Sequence, residues 1–335
     1  MIISIIMPVY NNEGYLNDSI NSVLQQRSKA WELIIINDGS TDRTGKICDE
    51  YAKKDDRIKV IHTQNYGPAD ARNIGIQNAN GKYCIFLDSD DHLDSEAISA
   101  LSFAVIIEDF EIIFYGYSHN IDTGQDKWKS IEHSLAPQKY YTNKEFKEIY
   151  SELATQGFTH PAWNKMFLTS FLKDHLILFP SGIFISEDYI FNLTAYSLAE
   201  RVLTLEEVLY HYVSRNSRSI TTSFRLNKIK DIEQVYIKSY QLMKDWEPIH
   251  LNKINNEFIQ NISVYINSLY SADCDLSKKE KKNLILKIIN NENVKKCIYE
   301  IYTNNLRNRI ITSLLKIKKV SLLLFTGKVA QYLRR

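Results

Sequence analysis

Residues Phe86–His92 read FLDSDDH, and they follow the sequence KYCI at positions 82–85. Three aspartates fall within four positions, directly after an apolar run that is typical of a buried strand. Core packing gains nothing from such a cluster, and carboxylates this close together repel one another. The segment therefore indicates a strand that ends at a functional site. Some other group at that site must offset the repulsion between the aspartates.

About the first hundred residues alternate between apolar runs and helical periodicity. The predicted strands are 2–9, 33–36, 58–62 and 83–87, and the predicted helices are 13–26, 42–54, 69–79 and 94–107. This alternation predicts an α/β fold with a Rossmann-like, mostly parallel sheet and helices on both faces.

Polar clusters follow three of these strands. They are PVYNNE at 8–13, NDGSTD at 37–42 and DSDD at 88–91. Ligands of parallel sheets bind beyond the carboxyl ends of the strands. We therefore expect the three clusters to meet in one crevice.

The chain changes character towards its end. Further strands are predicted at 111–117, 201–205 and 208–213, with a loop at IDTGQDKWKS (121–130). After about residue 222 the pattern is helical, over 224–270 and 278–333. We predict a catalytic domain over 1–220 and a helical C-terminal domain over 221–335.

Composition narrows the class of protein. The 335 residues carry 41 Lys and Arg against 40 Asp and Glu, so no overall field favours nucleic acid as a partner. The four cysteines lie far apart without a CxxC pair, which favours reduced thiols over a disulfide frame or zinc site. No basic leader precedes the first apolar run, and no window has the length of a membrane span. We expect a cytoplasmic protein.

The aspartate cluster has three interpretations. A solvated loop is the simplest, and a structural calcium loop is another, although the glycine at the sixth position of an EF-hand loop is absent. The interpretation that we favour is a divalent cation with a diphosphate, because oxygen-only ligands suit Mg²⁺ or Mn²⁺. Asp88 and Asp90 are two residues apart in extended chain, so their side chains point the same way.

Four segments together resemble the bacterial family 2 inverting nucleotide-sugar glycosyltransferases of GT-A fold. They are PVYN…E (Pro8–Glu13), NDGSTD (Asn37–Asp42), GPADARNIGI (Gly67–Ile76) and DSDD (Asp88–Asp91), and both order and spacing match. The resemblance covers roughly residues 1–220. It implies a UDP-sugar donor, Mn²⁺ or Mg²⁺ as cofactor, and a hydroxyl acceptor on a glycan or a lipid-linked or protein-linked saccharide.

The resemblance also implies roles for single residues. Residues expected at the nucleotide-sugar are Pro8, Val9, Tyr10, Glu13, Asp38, Gly67, Arg72, Asn73, Asp88, Ser89, Arg215, Ser217 and Ser219. Asp38 would accept a hydrogen bond from the uracil imide, since a carboxylate offers acceptors only. An ordinary strand-to-helix turn explains NDGSTD equally well.

Metal, base and acceptor roles are assigned in the same way. Asp90 would hold the metal with His211, although a histidine between aromatic residues also suits a packed core. Asp188 would be the catalytic base, with Glu187 beside it. The alternative for this pair is an acidic first turn of a helix. Trp163 and Lys165 would lie at the acceptor, and Trp163 also suits a core.

The C-terminal segment 307–335 has eight basic residues and no acidic one, interleaved with apolar residues. It suits either contact with an anionic membrane surface, at the inner face of the plasma membrane, or a basic face on a packed helix. The sequence leaves the oligomeric state open, a homodimer included.

Other function classes are weighed against this interpretation. A sugar nucleotidyltransferase would carry a glycine-rich loop with Arg and Lys near the N-terminus, which PVYNNEGY is not. A dehydrogenase would show GxGxxG after the first strand. A non-catalytic nucleotide-sugar-binding partner of another transferase would usually have lost the DSDD or ED carboxylates, and both are present.

Overall fold

The computed structural model describes residues 2–124, 127–215 and 224–332. The first elements along the chain are β1 (Ile3–Val9), α1 (Leu16–Leu24), β2 (Trp31–Asp38), α2 (Thr44–Ala52), β3 (Ile58–Thr63), α3 (Pro68–Asn78), β4 (Tyr83–Phe86), β5 (His92–Leu93) and α4 (Ala97–Ala104). They are followed by β6 (Ile112–Asp122), β7 (Trp128–His133), β8 (Lys139–Thr142), α5 (Asn143–Thr155), β9 (Lys165–Leu168), α6 (Thr169–Asp174), α7 (Glu187–Leu198) and β10 (Arg201–Ser214).

One sheet runs through this part of the chain in the order β3-β2-β1-β4-β9-β6-β10-β5, with β7 beside β6 and β8 beside β10. Strands β1, β2, β3 and β4 pair in parallel, and β6 pairs with β10 in parallel. Strand β9 is antiparallel to both β4 and β6. The predicted α/β class is confirmed, with antiparallel strands added to a parallel frame.

Helix α3 packs closely against the parallel strands because it carries a glycine at the contact. A Cβ placed on Gly75 would collide with the Ile6 side chain and lie 3.2 Å from Ile36 Cδ1. Both isoleucines are fully buried. This close approach fixes α3, and with it the residues that the helix presents at the sheet edge.

Three details of the sequence prediction are corrected. The segment 121–130, predicted as a loop, contributes to an antiparallel pair, because β6 continues to Asp122 and β7 begins at Trp128. The two strands predicted between 201 and 213 form the single strand β10, which has a register shift between Thr204 and Val208. The apolar run at 182–185, before Glu187, is strand-like in sequence but forms a loop.

The chain divides into two compact units, Met1–Asn216 and Ser217–Arg335. The second contains α8 (Lys228–Met243), α9 (Pro248–Ser268), α10 (Lys278–Asn290), α11 (Glu292–Glu300), α12 (Leu306–Lys316) and α13 (Val320–Tyr332). Their apolar faces bury residues such as Phe258, Ile262 and Ile288. Within the ranges described, no helix is long and apolar enough to cross a membrane.

Candidate functional site

The loops that follow β1, β2 and β4 are joined by hydrogen bonds at one edge of the sheet. The Asn11 N–H donates to Ser40 Oγ at 3.0 Å, and the Thr41 N–H donates to Asn11 Oδ1 at 2.8 Å. Asn12 Nδ2 donates to Ser89 Oγ at 2.8 Å and so ties the first loop to the aspartate cluster. The predicted convergence of the three clusters is confirmed.

The residues predicted to line the front of a nucleotide pocket lie on β1 and the loop after it. Val9 is buried and Pro8 is partly exposed, whereas Tyr10 is 50% exposed. Glu13 Oε2 accepts a hydrogen bond from the Arg43 N–H at 2.8 Å. Glu13 therefore holds the loop against the start of α2, while the ring of Tyr10 stays open to solvent.

Asp38, at the end of β2, organises the loop before α3. Its Oδ1 accepts from the Tyr66 N–H at 2.8 Å and from Thr63 Oγ1 at 3.2 Å, and its Oδ2 accepts from the Gly67 N–H at 2.8 Å. Gly67 has a φ of 95°, a conformation that favours glycine. Asp38 is only 3% exposed. Its contact with uracil stays a prediction.

Asp91, the last aspartate of the cluster, points into the protein and is 1% exposed. Its Oδ2 accepts from the Tyr210 hydroxyl at 2.7 Å, and its Oδ1 accepts from the Val213 N–H at 2.7 Å. Burial raises the pKa of Asp91, and the nearby carboxylates of Asp88 and Asp90 raise it further. Asp91 thus fastens the cluster to β10.

Asp88 and Asp90 have different surroundings. Asp88 Oδ1 accepts from Arg72 Nη2 at 2.8 Å. The side chain of Asp90 is 51% exposed, and its nearest cation is Arg215, whose Nη1 lies 4.0 Å from Oδ2. Partial loss of hydration and the nearby Asp88 both raise the pKa of Asp90.

Two of the three aspartate side chains therefore accept hydrogen bonds from the protein. A cation and a diphosphate were our explanation from the sequence for why the cluster is tolerated. The sequence also predicts that a cationic Arg72 near Asp88 and Asp90 relieves their repulsion, and Arg72 does contact Asp88. The explanation is incomplete for Asp91, which Tyr210 and Val213 hold. Asp90 is left as the aspartate whose carboxylate faces solvent.

The donor set around Asp90 fits Mn²⁺ or Mg²⁺. Among the residues that the structure describes, no three His, Cys, Asp or Glu side chains are grouped so as to hold a metal by themselves. Mg²⁺ is usually bound by one or two carboxylates together with substrate phosphates and water. A half-exposed carboxylate beside Asp88 suits a cation that binds together with a diphosphate.

His211 lies on β10, opposite His92 of β5. Its Nδ1 is 2.7 Å from Ser118 Oγ, and its Nε2 is 3.5 Å from Asp94 Oδ2. Both ring nitrogens therefore face polar groups of the protein. The role of His211 as a metal ligand stays a prediction.

Arg215 joins the end of β10 to the aspartate cluster. Its Nη1 donates to the Asp90 carbonyl at 2.9 Å, and its guanidinium carbon lies 3.9 Å from the centre of the Tyr15 ring. The side chain is 17% exposed. Ser217 and Ser219, predicted to contact the diphosphate with Arg215, lie outside the described residues.

Arg72 joins the aspartate cluster to the start of α7. Its Nη1 lies 3.3 Å from Glu187 Oε1 and 3.3 Å from Asp188 Oδ1, in addition to the contact with Asp88. The side chain is only 7% exposed. Burial disfavours the charged guanidinium, but the three carboxylates outweigh burial and hold the pKa of Arg72 above its ordinary value.

Asp188 lies in the first turn of α7, which begins directly after Ser186, whose backbone has a left-handed conformation. Ser186 has a φ of 58°, which is uncommon for a residue with a side chain, and the helix begins at Glu187. Asp188 Oδ2 accepts weakly from the Ala162 N–H at 3.4 Å. Oδ1 makes no hydrogen bond in the described structure apart from its ion pair with Arg72.

The protonation of Asp188 is set by competing effects. Burial raises its pKa to about 7, Arg72 lowers it, and the carboxylates of Glu187 and Asp88 raise it. A carboxyl group with a pKa near neutrality can accept a proton from a substrate and release it again. This property, together with one-fifth exposure of the side chain, makes Asp188 a candidate base.

Asn73 has a structural role. Its Nδ2 donates to the Phe179 carbonyl at 2.9 Å, and its Oδ1 accepts from the Phe179 N–H at 2.8 Å. The side chain thus joins α3 to the segment before α7. Both ends of its amide bond Phe179, and the predicted contact of Asn73 with the nucleotide stays a prediction.

Trp163 and Lys165 lie close to one another in the chain but not at an open surface. Trp163 is 9% exposed and stacks on Tyr210 and Tyr212, with ring centres 4.5 Å and 5.5 Å apart. Lys165 is completely buried. In this structure neither is placed to receive a saccharide, so an acceptor contact would need a rearrangement of the site.

Lys165 instead holds the loop that contacts Asp188. Its Nζ donates to the Phe158 carbonyl at 2.7 Å, to the Pro161 carbonyl at 2.5 Å and to Asn164 Oδ1 at 2.6 Å. Burial lowers the pKa of Lys165, whereas Asp188 raises it. Three acceptors need three N–H donors, which only the ammonium form supplies.

Replacement of Lys165 by Met is expected to lower the free energy of unfolding by about 2–4 kcal/mol, because the three hydrogen bonds from the buried ammonium group are lost. Urea denaturation measures this loss. The matched control is Lys173→Met: Lys173 is exposed and bonds the Ala79 carbonyl, so its replacement should cost less than about 1 kcal/mol. Equal losses in the two variants would contradict the role given to Lys165.

Two residues of the site escaped the sequence analysis. Tyr210 donates to Asp91 and accepts from the Asp88 N–H at 3.2 Å, yet in the sequence it reads as an apolar residue of a strand. Asn192 Nδ2 donates to the His160 carbonyl at 2.8 Å and the Pro161 carbonyl at 3.1 Å. A polar residue one helical turn after Asp188 was the available signal for Asn192.

Comparison with known proteins identifies the family of this chain. Residues 4–176 match the family described as Glycosyl transferase family 2. The chain belongs to this family. The Bacillus subtilis (strain 168) protein named uncharacterized glycosyltransferase EpsJ is 34% identical over 220 residues, which are 66% of this chain and 63% of that protein. The match thus spans less than two thirds of this relative's own length.

Two solved structures share the fold. Staphylococcus aureus TarS 1-349 in complex with UDP-GlcNAc aligns with a TM-score of 0.68 and 20% identity, over 99% of this chain and 92% of that chain. The mannosyltransferase PcManGT from Pyrobaculum calidifontis, in complex with GDP-Man and Mn²⁺, aligns with a TM-score of 0.52 and 13% identity, over 98% and 86%. At these identities the likeness establishes the fold, and the predicted GT-A class is confirmed.

Proposed function

We propose that this chain is a metal-dependent inverting glycosyltransferase that transfers a hexose or N-acetylhexosamine from a UDP-sugar to a hydroxyl group. The observation that carries the proposal is the contact of Arg72 with Asp88 on one side and with Asp188 on the other. It joins the carboxylates suited to a donor and metal to a carboxylate suited to a base. Membership of the family and the UDP-GlcNAc in the TarS structure support the choice of donor.

The donor would lie in the crevice beyond β1, β2 and β4. Tyr10 would offer its exposed ring to the base. Asp38 would accept from the imide of the base, and Asp88 would contact the ribose and the sugar. Asp90 would hold Mn²⁺ or Mg²⁺, with His211 as the further predicted ligand. The cation would neutralise charge on the departing diphosphate.

Asp188 would act on the acceptor. Its carboxylate takes the proton from the acceptor hydroxyl while that oxygen forms a bond to the anomeric carbon and the bond from this carbon to the diphosphate breaks, releasing UDP. Arg72, which also contacts Glu187, would hold Asp188 in place. A single displacement converts an α-linked donor into a β-linked product.

The acceptor and the setting are proposed more broadly. We propose a growing surface glycan as acceptor, such as a capsule or wall polysaccharide or an adhesin glycan, reached at the inner face of the plasma membrane. Residues 1–220 would form the transferase domain and residues 221–335 an appended helical domain. A homodimer is compatible with this proposal.

Calorimetric titration with UDP, with and without Mn²⁺, tests the donor and metal part of the proposal. We expect Mn²⁺ to strengthen UDP binding at least about tenfold, because a cation held by a carboxylate is completed by phosphate oxygens. Asp90→Ala should abolish this gain, whereas Asp174→Ala, the same change at an exposed residue of α6, should keep it. If Mn²⁺ leaves the affinity for UDP unchanged in the parent and in both variants, the proposed metal role of Asp90 is refuted.

A further inference from the structure

The last helix of the chain carries an apolar stripe on its outer side. Leu322, Phe325, Val329 and Tyr332 are exposed by 46%, 61%, 38% and 79%. Their spacings of three, four and three residues place them on one face of α13. We call these four residues the α13 stripe.

The opposite face of α13 is packed. Leu323 is completely buried, and Gly327 is so close to α9 that an added Cβ would lie 2.7 Å from the Ile266 carbonyl. The helix is therefore fixed to its own unit by one face. Because the opposite face is packed in this way, the α13 stripe faces solvent.

Basic residues border the stripe. Lys318, Lys319 and Lys328 are exposed, as is Lys316 at the end of α12. From residue 307 to the end of the chain there are eight basic residues and no acidic one, although the whole chain has a net charge of only +1. The rest of the chain is therefore net acidic, and the positive charge is concentrated in the sequence segment that contains α13.

We propose that the α13 stripe docks on the surface of an anionic lipid bilayer. An amphipathic helix with large apolar residues on one face and Lys or Arg beside them inserts that face at the headgroup boundary, while its cations meet anionic lipids. A second copy of this chain is a poorer occupant, because like charges would be brought together. Docking through α13 would keep the chain at a surface where lipid-linked acceptors are presented.

This inference rests on the proposed membrane location but not on the proposed reaction. It is tested by sedimentation of the full chain with vesicles in the absence of any donor. We expect binding to vesicles of phosphatidylcholine with about 30 mol% phosphatidylglycerol, weak binding to phosphatidylcholine alone, and release by high salt. A chain that binds vesicles but lacks transferase activity would overturn the proposed reaction and leave this inference standing.

Variants locate the surface. Phe325→Glu should lower binding to the anionic vesicles at least about tenfold, since it removes an exposed aromatic ring from the docking face and adds a negative charge. The matched control is Ile107→Glu, the same kind of change at a residue that is 98% exposed in the other unit. That variant should bind as the parent does. Circular dichroism of each variant verifies that it is folded.

Three results would overturn the inference. One is equal binding of the parent to neutral and anionic vesicles or to neither, and another is unchanged binding by folded Phe325→Glu. The third is a concentration-dependent dimer that Phe325→Glu converts to a monomer, without vesicle binding by the parent. In that case the α13 stripe is an interface between copies of the chain.

Discussion

Replacement of Asp188 by Asn is expected to lower kcat for sugar transfer by about 10²–10⁴, the contribution typical of a positioned general base. Asparagine has no negative charge, so the ion pair with Arg72 is lost. Because its side chain has nearly the same shape, packing around Ala162 should change little. Donor binding should be retained, because the role proposed for Asp188 is on the acceptor hydroxyl. The measurement is UDP release in the presence of acceptor, with UDP affinity determined separately.

The pH profile separates a base from a residue that only supports the fold. Since burial raises the pKa of Asp188 to about 7, kcat/KM of the parent should fall about tenfold for each pH unit below that value. The Asn variant should lose this dependence. Asp56→Asn, the same change at an exposed position before β3, should behave as the parent. A parent profile that is flat between pH 5 and 8 would count against Asp188 as the base.

Replacement of Arg72 by Met is expected to lower kcat/KM by about 10²–10³, the loss typical of removing one preorganised electrostatic contact. Asp88, Glu187 and Asp188 would then face one another without the cation that lies between them. Because a nearby cation favours the ionised form of a carboxyl group, its removal should raise the pKa of Asp188 above about 7. The activity profile should shift to higher pH.

Stability gives an independent measure of the same contact. Carboxyl groups whose pKa is raised in the folded state oppose folding once the pH exceeds their ordinary value. The parent already carries this penalty at Asp188 up to about pH 7, so the deficit of Arg72→Met relative to the parent should grow as the pH rises through about 7 towards the higher pKa of the variant. Arg72→Lys keeps the charge but not the planar fork, so it should restore stability more than activity. A deficit independent of pH would mean that Arg72 acts through packing alone.

The frame of the fold could be predicted because its local signals agree. Strands such as β1 and β2 are continuous apolar runs buried on both faces, and the polar clusters that follow them mark the carboxyl edge. The convergence of these clusters follows from parallel pairing alone. The predicted elements here fall within a few residues of the observed bounds.

The rest depends on contacts between distant segments. Strand β7 is exposed and polar, so its residues read as loop, and only pairing with β6 orders it. The inward turn of Asp91 needs Tyr210, more than a hundred residues away in the chain. From the sequence, Lys165 is predicted at an acceptor site, whereas its bonds to the Phe158 and Pro161 carbonyl groups and to Asn164 explain its complete burial. Spacing along the sequence carries none of this information.

The most direct test of the account is release of UDP from a panel of UDP-sugars by the full chain, with and without Mn²⁺. The proposed function predicts slow hydrolysis of one donor that requires the metal and is lost in Asp90→Ala. Such a result would identify the sugar and support Asp90 as the metal ligand. If no UDP-sugar is bound or cleaved with any divalent metal, the account is contradicted, and a non-catalytic partner of another transferase becomes the better interpretation.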